Sequence, residues 1–246
     1  MGKPFYYLSK CIYSLGRPMY PTKVIGRENI VKSGKCIYAC NHLSAVDIPL
    51  TQVHIPGYRR YIGKKDFTEK KFSKFLLAKF GVIFIDRDKP ELSVMREIFK
   101  VLDDGQILIF PEGTRNKGDE KEMLELKGGL AIFAAKSGAP VVPVLLYRRP
   151  RAFRKNYMYI GKPIDITENK GRMPSAADVA AMTERYAYEF SNCRVILDDY
   201  VKNKRWKKKN RLAEGEKPPA LIAWEASRQA SAQQKDAAVA ENNAEV

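Results

Sequence analysis

His42 and Asp47 stand five positions apart, directly after the short apolar run 36–40. A carboxylate that accepts a hydrogen bond from one imidazole nitrogen fixes the tautomer of the ring and leaves the other nitrogen free to act as a base. Pro49 favours the first turn of a helix, so we expect a helix to begin near Asp47 and to bring the carboxylate back to the ring. Such a pair can take the proton from a hydroxyl group that a substrate supplies.

The same segment has simpler interpretations. Asp47 could cap the helix or form a capping box with Ser44, and His42 could be an ordinary loop histidine. Ser44 is a candidate nucleophile by proximity alone, because no Gly-x-Ser-x-Gly elbow surrounds it. Cys36 and Cys40 lie near His42, but no second pair of ligands follows, and we predict no metal site. The spacing alone leaves the roles of His42 and Asp47 open.

A second candidate segment is FPEGTR at residues 110–115, which ends the apolar run 107–110. Gly113 allows main-chain amides to approach an anion, and Arg115 can hold a phosphate with two parallel hydrogen bonds. An ordinary surface turn is the alternative. Taken by itself, the segment therefore indicates an anion site only weakly.

Arg87 follows a third apolar run, Val82–Ile85. Polar residues at the carboxyl ends of strands commonly line the crevice of an open α/β sheet. If these strands are neighbours, His42, Arg87 and Arg115 converge on one crevice. That arrangement suits a substrate that carries both a phosphate and a reactive hydroxyl.

The elements that must position these residues alternate between strands and helices. Gly and Pro separate the runs, which favours an α/β domain over about residues 22–170, with a mostly parallel or mixed sheet flanked by helices. We predict strands at 36–40, 60–63 (a possible edge strand), 82–85, 107–110, 141–147, 157–160 and 164–166. We predict helices at 69–80, from Pro90 to about residue 102, at 124–137 and at 176–201.

The two ends of the chain differ from this middle part in composition. Residues 1–20 place aromatic and aliphatic side chains on one helical face, which predicts an amphipathic segment that either lies in a membrane interface or packs on the domain. The longest runs without a charged residue are 11 residues long, far shorter than the roughly 20 residues of a membrane span. We therefore expect three parts: segment 1–20, an α/β domain at 21–201, and a tail at 202–246 that is basic and then of low complexity.

The chain has 246 residues and a formal net charge of +16, with 44 Lys and Arg against 28 Asp and Glu. A surplus of this size points to anionic partners. Nucleic acid is a possible partner because of the basic run 202–211, but no nucleic-acid-binding motif is present, and the run lies outside the α/β part. An anionic membrane surface suits the same cations.

Four ordered motifs resemble those of the PlsC-type 1-acyl-glycerol-3-phosphate acyltransferases, in the glycerolipid acyltransferase superfamily. The first, Asn-His-x-x-x-x-Asp, is met at residues 41–47, and the second, an arginine after an apolar strand, at residues 85–87. The third, Phe-Pro-Glu-Gly-Thr-Arg, is met in full at residues 110–115, and the fourth, an apolar strand with Val-Pro, at residues 141–144. The resemblance covers roughly residues 20–170.

The resemblance implies that His42 and Asp47 are the catalytic dyad. His42 would deprotonate the sn-2 hydroxyl of 1-acyl-sn-glycerol 3-phosphate (lysophosphatidic acid), and the alkoxide would attack the thioester of acyl-CoA or acyl-carrier protein without an acyl-enzyme. The residues implied in binding the acceptor phosphate are Arg87, Gly113, Thr114 and Arg115, with Lys64 nearby. Glu112 would position the site rather than touch the phosphate, because two anions repel each other.

The resemblance implies no metal or organic cofactor besides the thioester donor. Several family members have long apolar N-terminal segments, whereas segment 1–20 is too short to span a membrane, so we expect a peripheral position on the cytoplasmic face of the membrane. The resemblance does not separate lysophosphatidic acid from glycerol 3-phosphate or another lysophospholipid as the acceptor. Donor type and preferred chain length also stay open.

Overall fold

The computed structural model describes residues 3–64, 75, 80–86, 91–165, 170–213 and 215–230, with the backbone alone at Lys64 and Lys208. Its strands are β1 (Thr22–Ile25), β2 (Cys36–Cys40), β3 (Arg60–Lys64), β4 (Val82–Ile85), β5 (Gln106–Ile109), β6 (Val141–Leu146) and β7 (Asn156–Ile160). Its helices are α1 (Lys3–Leu15), α2 (Asp47–His54), α3 (Leu92–Val101), α4 (Gly129–Ser137) and α5 (Ala176–Lys202). A further helical stretch covers residues 219–230.

The seven strands form one mixed sheet in the order β1-β7-β6-β2-β5-β3-β4. The strands from β6 to β4 in that order are all parallel to their neighbours, whereas β7 is antiparallel to β6 and β1 is parallel to β7. Every residue of β2, β5 and β6 is buried, as expected for central strands covered on both faces. The predicted α/β class with a mostly parallel or mixed sheet is confirmed.

The parallel strands fix where functional side chains can meet. Cys40 at the end of β2 pairs with Val144, and Ala39 pairs with Ile109 at the end of β5. Because these strands run in the same direction, the chain leaves β2 and β5 at the same edge of the sheet. The segments that begin at residues 41 and 110 therefore start side by side.

Three elements differ from the sequence-based prediction. Strand β1 was not predicted. Strand β3, predicted as a possible edge strand, is paired on both sides, and β4 lies at this edge of the sheet instead. The helix predicted at 124–137 begins only at Gly129, because residues 124–127 lie extended against the 110–115 segment, where the Lys127 N–H donates to the Pro111 carbonyl at 2.9 Å. It ends as predicted at Gly138, whose φ of 62° is the left-handed conformation that glycine adopts at helix ends.

Other predicted elements agree closely or cannot be assessed. Strands β2 and β4 have the predicted bounds, α2 begins at Asp47, and α5 extends one residue beyond its predicted end. In place of the strand predicted at 164–166, Ile164 forms an isolated bridge to Val141. The predicted helix 69–80 lies largely outside the described residues.

Helix α1 packs on α2. Tyr6 and Ser9 are buried, and the Gln52 side-chain amide of α2 donates to the Tyr6 carbonyl at 2.9 Å and to the Ser9 hydroxyl at 2.8 Å. Several large apolar side chains of this helix are also exposed: Phe5, Tyr7, Leu8, Ile12, Tyr13 and Leu15. The interpretation that the helix packs on the domain is therefore confirmed, and the helix also exposes apolar side chains.

The chain divides into two compact units, Met1–Phe190 and Ser191–Val246, with the boundary inside α5. The four sequence motifs all belong to the first unit. Among the described residues, no helix is both long enough and apolar enough to cross a membrane.

Candidate active site

The His42 ring and the Asp47 carboxylate form a hydrogen-bonded pair at the carboxyl end of β2. The distance between His42 Nδ1 and Asp47 Oδ2 is 2.9 Å. Asp47 is fully buried, while 15% of the His42 side chain is exposed. When Nδ1 carries the proton that the carboxylate accepts, Nε2 has a free lone pair and can act as a base. The arrangement can therefore take a proton from a hydroxyl group that reaches the ring.

Asp47 also shapes the turn that carries the ring. Its Oδ2 atom accepts the backbone N–H groups of Leu43 and Ser44, both at 2.7 Å. The Ser44 hydroxyl in turn accepts the Val46 N–H at 3.2 Å. The bond from the Ser44 N–H to Asp47 is the one expected from the capping box proposed for Ser44 and Asp47. One carboxylate oxygen of Asp47 therefore both organises the start of the helix and orients His42. The other oxygen, Oδ1, is buried and has no hydrogen-bond partner among the described residues.

Asn41 fastens the end of β2 to the end of β6. Its side-chain amide donates to the Leu146 carbonyl at 3.1 Å, and its side-chain carbonyl accepts the Leu146 N–H at 2.8 Å. The two bonds continue the ladder between β2 and β6 by one more residue. This bridge fixes the backbone immediately before His42.

Glu112 fixes the backbone of His42 from the neighbouring loop. Its Oε1 atom accepts the His42 N–H at 3.2 Å, and its carboxylate also accepts a hydrogen bond from the Leu124 backbone. Burial raises the pKa of Glu112 from 4.5 to about 7; the two backbone donors oppose this shift, and the Asp47 charge adds to it. Glu112 is thus positioned to hold the backbone of His42.

Phe110 and Asn116 hold His42 from two further sides. The Phe110 ring stacks on the imidazole, with the ring centroids 3.9 Å apart and the planes inclined by 20°. The Asn116 N–H donates to the His42 carbonyl at 2.7 Å. Together with Glu112, these contacts pin both the backbone and the ring of His42 to the segment that follows β5.

The residues predicted to bind a phosphate lie in the same loop and face outward. Thr114 and Arg115 are exposed, and Gly113 has a φ of 75°, which an L-residue adopts only with strain. Arg115 forms no hydrogen bond or ion pair with another described residue, so its guanidinium group is free to bind a ligand. Arg87 and the side chain of Lys64 lie outside the described part of the chain, although the Lys64 backbone ends β3 at this edge of the sheet.

A cavity of about 540 Å³ lies beside residues that hold His42. Phe110 and Glu112, which contact His42, both line it, together with Gly113 and Thr114. The rest of the lining is mostly apolar and comes from β3, β4, β5, α3 and α4: Ile62, Ile85, Met95, Ile109, Leu130, Ile132 and Phe133. A long aliphatic chain fits the chemistry of this lining.

The two cysteines considered as metal ligands lie inside the sheet. Cys36 and Cys40 are fully buried in β2, and burial raises the pKa of the Cys36 thiol to about 12 and that of the Cys40 thiol well above its usual range. Metal-binding cysteines need the thiolate form, which this environment disfavours. Within the described part of the chain, no three His, Cys, Asp or Glu side chains are arranged to hold a metal ion.

Sequence reasoning missed a second layer of the site, formed by Asn116 and Arg149. The Arg149 guanidinium donates to the Asn116 carbonyl at 2.8 Å and to the Gly118 carbonyl at 2.9 Å. The Asn116 side chain donates to the carbonyls of Asp119 and Glu122. The position of Asn116 directly after the FPEGTR segment was the only feature of the sequence that could have indicated its role. No feature of the sequence indicated Arg149, because its partners are more than 30 positions away.

The chain is similar to known acyltransferases. The model of the acyltransferase family matches residues 21–147. The 1-acyl-sn-glycerol-3-phosphate acyltransferase of Bacillus subtilis (strain 168) is 33% identical over 170 residues, which cover 66% of this chain and 82% of that protein. The enzyme of the same name from Borreliella burgdorferi is 31% identical over 186 residues, covering 74% of this chain and 70% of that protein.

A solved structure shares the fold. The crystal structure of the 1-acyl-sn-glycerophosphate (LPA) acyltransferase PlsC from Thermotoga maritima matches with a TM-score of 0.58 and 23% sequence identity. The match covers 84% of this chain and 81% of that one. It therefore includes most of the first unit, where all the candidate site residues lie.

Proposed function

Because this chain belongs to the acyltransferase family, we propose that it transfers a fatty acyl group to the sn-2 hydroxyl of 1-acyl-sn-glycerol 3-phosphate and so forms phosphatidic acid. The donor is acyl-CoA or acyl-carrier protein. The observation that carries the proposal is the 2.9 Å contact between His42 Nδ1 and the fully buried Asp47 carboxylate, at the strand end beside the FPEGTR loop. Relatives named for this activity align over most of the chain.

The proposed chemistry needs one base and no protein nucleophile. His42 Nε2 takes the proton of the acceptor hydroxyl as its oxygen attacks the carbonyl carbon of the thioester. The carbon–sulfur bond then breaks, and the imidazolium returns the proton to the departing thiolate. Asp47 stabilises the imidazolium in between, and a positioned base of this kind contributes about 10²–10⁴-fold to the rate.

Direct transfer agrees with the surroundings of Ser44, the alternative nucleophile. The Ser44 hydroxyl accepts the Val46 N–H at 3.2 Å. The Nδ1 atom of His42 is hydrogen-bonded to Asp47 and not to Ser44. A serine nucleophile requires a base within hydrogen-bond reach of its hydroxyl. We therefore assign no acyl-enzyme step to Ser44.

The acceptor phosphate is assigned to the outer side of the FPEGTR loop. Arg115 is exposed there without an ion-pair partner among the described residues, and the positive φ of Gly113 turns the loop backbone beside it. Thr114 can add a hydroxyl donor. Arg87 and Lys64 are proposed as further phosphate ligands on the strength of the family motifs.

The acyl chain is assigned to the cavity beside the residues that hold His42. Phe110 belongs to both features, because it stacks on His42 and lines the cavity. A chain that enters this cavity would leave its carboxyl end near the imidazole, where the thioester must react. Most of the cavity lining is aliphatic or aromatic, which favours burial of methylene groups at about 0.8 kcal/mol each.

Helix α1 is assigned to peripheral attachment on an anionic, cytoplasmic membrane surface. It exposes 56% of Leu8 and 82% of Leu15, and a helix that presents large apolar side chains at the surface is typical of interfacial attachment. Replacing Leu8 and Leu15 by Asn should weaken sedimentation with vesicles that contain phosphatidylglycerol. The matched control is Leu92→Asn on α3, where the leucine is 74% exposed; equal losses in both variants would contradict this assignment.

The proposed function is tested by a product assay with purified protein. Lysophosphatidic acid, glycerol 3-phosphate and lysophosphatidylcholine are each offered with acyl-CoA and with acyl-carrier protein, and the lipid product is identified by mass. We expect phosphatidic acid from lysophosphatidic acid and little product from the other acceptors. Ser44→Ala should retain most of this activity. A clear preference for glycerol 3-phosphate or lysophosphatidylcholine would instead support the alternative acceptors.

A further inference from the structure

The loop between β6 and β7, residues 147–155, combines cations with one large exposed apolar side chain. Its sequence is YRRPRAFRK, in which five of the nine residues are arginine or lysine and none is acidic. Phe153 is 79% exposed. A side chain with so little protein around it cannot line a concave site for a small ligand, but it can enter a lipid layer.

The fold holds Phe153 in an unfavourable backbone conformation. Its φ of 57° lies in the left-handed region, which is costly for an aromatic residue. The Phe153 N–H donates to the Met19 carbonyl at 2.6 Å. The buried Asn156 side chain accepts the Arg151 N–H at 3.1 Å and donates to the Arg154 carbonyl at 2.9 Å. Strained residues that the surrounding structure fixes in this way cluster at functional positions.

The β6–β7 loop lies at the edge of the sheet that carries the candidate active site. Strands β2 and β6 are parallel, so the chain leaves both of them at this edge. The Arg149 guanidinium at the start of the loop donates to the Asn116 carbonyl at 2.8 Å. The Asn116 N–H in turn donates to the His42 carbonyl at 2.7 Å. Two successive hydrogen bonds thus connect the loop to the backbone of the proposed base.

The exposed apolar side chains at the end of α1 continue toward this loop. Leu15 ends α1 and is 82% exposed, and Met19, whose carbonyl accepts the Phe153 N–H, is 45% exposed. Arg151 and Arg154 flank Phe153 in sequence, are exposed, and form no ion pair with another described residue. Apolar side chains beside uncompensated cations match the acyl chains and phosphates of an anionic bilayer.

We propose that the β6–β7 loop is a second membrane contact, in which Phe153 enters the interface of an anionic bilayer and Arg151 and Arg154 bind lipid phosphates. Two contacts fix an orientation that α1 alone leaves free, and they turn the sheet edge that carries His42 toward the lipid. The inference goes beyond the attachment assigned to α1, and it requires no step of the proposed acyl transfer.

Fluorescence of the full-length variant Phe153→Trp tests the proposal locally. The protein is mixed with vesicles of phosphatidylcholine and phosphatidylglycerol whose acyl chains are brominated, and the signal of the wild type, from Trp206 and Trp224, is subtracted. We expect the added tryptophan to shift its emission to shorter wavelength and to be quenched by the brominated chains. The matched control is Leu92→Trp on α3, where the leucine is 74% exposed, and it should show neither effect.

Phe153→Asn separates membrane binding from folding. Asparagine tolerates the left-handed conformation better than phenylalanine, so the variant should be at least as stable as the wild type. Its affinity for vesicles that contain phosphatidylglycerol should nevertheless fall by about five-fold or more, because the apolar contact is lost. Leu92→Asn should bind as the wild type does. Arg151→Gln combined with Arg154→Gln should weaken binding to these vesicles by about ten-fold or more, and binding to pure phosphatidylcholine far less.

Three results would overturn the proposal. The first is an added tryptophan that the brominated lipid does not quench. The second is wild-type vesicle affinity in Phe153→Asn. The third is a double arginine variant that keeps its vesicle affinity but loses affinity for acyl-carrier protein, which would make the loop a docking surface for an acidic protein instead.

Discussion

The Oε1 atom of Glu112 accepts the backbone N–H of His42 at 3.2 Å, across 70 positions of sequence. The loop that follows β5 therefore holds the loop that follows β2. Any ligand that moves one loop must disturb the other. Glu112 therefore links the proposed base to the proposed phosphate loop, together with Phe110 and Asn116.

Glu112→Gln should change how stability depends on pH. The folded-state pKa of Glu112, about 7, lies above its ordinary 4.5, so the native protein favours the protonated form. The stability from this group is fully present below about pH 4.5 and is lost as the pH rises through 7. Between pH 5 and pH 8 the wild type should lose about 2 kcal/mol of unfolding free energy relative to Glu112→Gln. Chemical denaturation at both pH values measures the difference.

The control for this prediction is Glu125→Gln. The Glu125 side chain is 85% exposed and pairs with Lys127 at the surface. Its substitution should leave the pH dependence of stability unchanged, because an exposed pair contributes little. The prediction is contradicted if the unfolding free energies of Glu112→Gln and Glu125→Gln depend on pH in the same way as that of the wild type. In that case the pKa of Glu112 is not raised in the folded protein.

Asp47→Asn should lower kcat far more than it lowers stability. The neutral amide can still accept backbone N–H groups, but it neither selects the correct tautomer of His42 nor stabilises the imidazolium. We expect a loss of about 10²–10⁴-fold in kcat, with about 1–3 kcal/mol less unfolding free energy. Asp104→Asn, at an exposed turn after α3, serves as the control and should change neither quantity. A loss confined to stability would make Asp47 a helix cap alone.

Arg115→Lys should raise the KM for lysophosphatidic acid by about 10- to 100-fold, because lysine keeps the charge but lacks the two parallel hydrogen bonds of the guanidinium group. Arg115→Ala should lose more. The KM for the donor should change little in either variant. Arg172→Ala, another exposed arginine, is the control. If the donor KM rises and the acceptor KM does not, Arg115 binds the thioester carrier instead.

Gly129→Leu should shift the donor preference toward shorter acyl chains. Gly129 lines the cavity beside the residues that hold His42, and a Cβ atom there would meet only the Phe133 ring, at 3.9 Å. The backbone can therefore accept a side chain, which would then occupy part of the cavity. Gly129→Ala should show a smaller shift. Competition between acyl-CoA donors of different length measures the effect, and an unchanged profile in both variants would place the chain elsewhere.

Local pairs of residues could be predicted from the sequence, and distant ones could not. His42 and Asp47 are joined by one turn, so their spacing and Pro49 sufficed to predict the contact between them. The bond from His42 to Glu112 depends on β2 and β5 being neighbours, which no local pattern encodes. The extended segment 124–127 misled the helix prediction for the same reason, because its hydrogen bonds go to the 110–115 loop rather than to its own turn.

Apolar periodicity also could not reveal where polar groups are buried. His54 follows a helical pattern of apolar residues, and only the packing of the fold shows that its ring nitrogens are buried without hydrogen-bond partners among the described residues. Strand β1 was missed because four residues that include an exposed lysine give almost no strand signal. In each case the deciding partner is far away in sequence.

The most direct test of the account is the rate of phosphatidic acid formation by His42→Gln. The substitution removes the partly exposed imidazole ring that acts as the base. Helix α2 and the hydrogen bonds of Asp47 to the Leu43 and Ser44 N–H groups remain. With lysophosphatidic acid and the preferred donor, we expect kcat to fall by about 10²–10⁴-fold, with a free energy of unfolding close to that of the wild type. A folded His42→Gln protein that still turns over within a few-fold of the wild-type rate would contradict the assignment of His42 as the catalytic base.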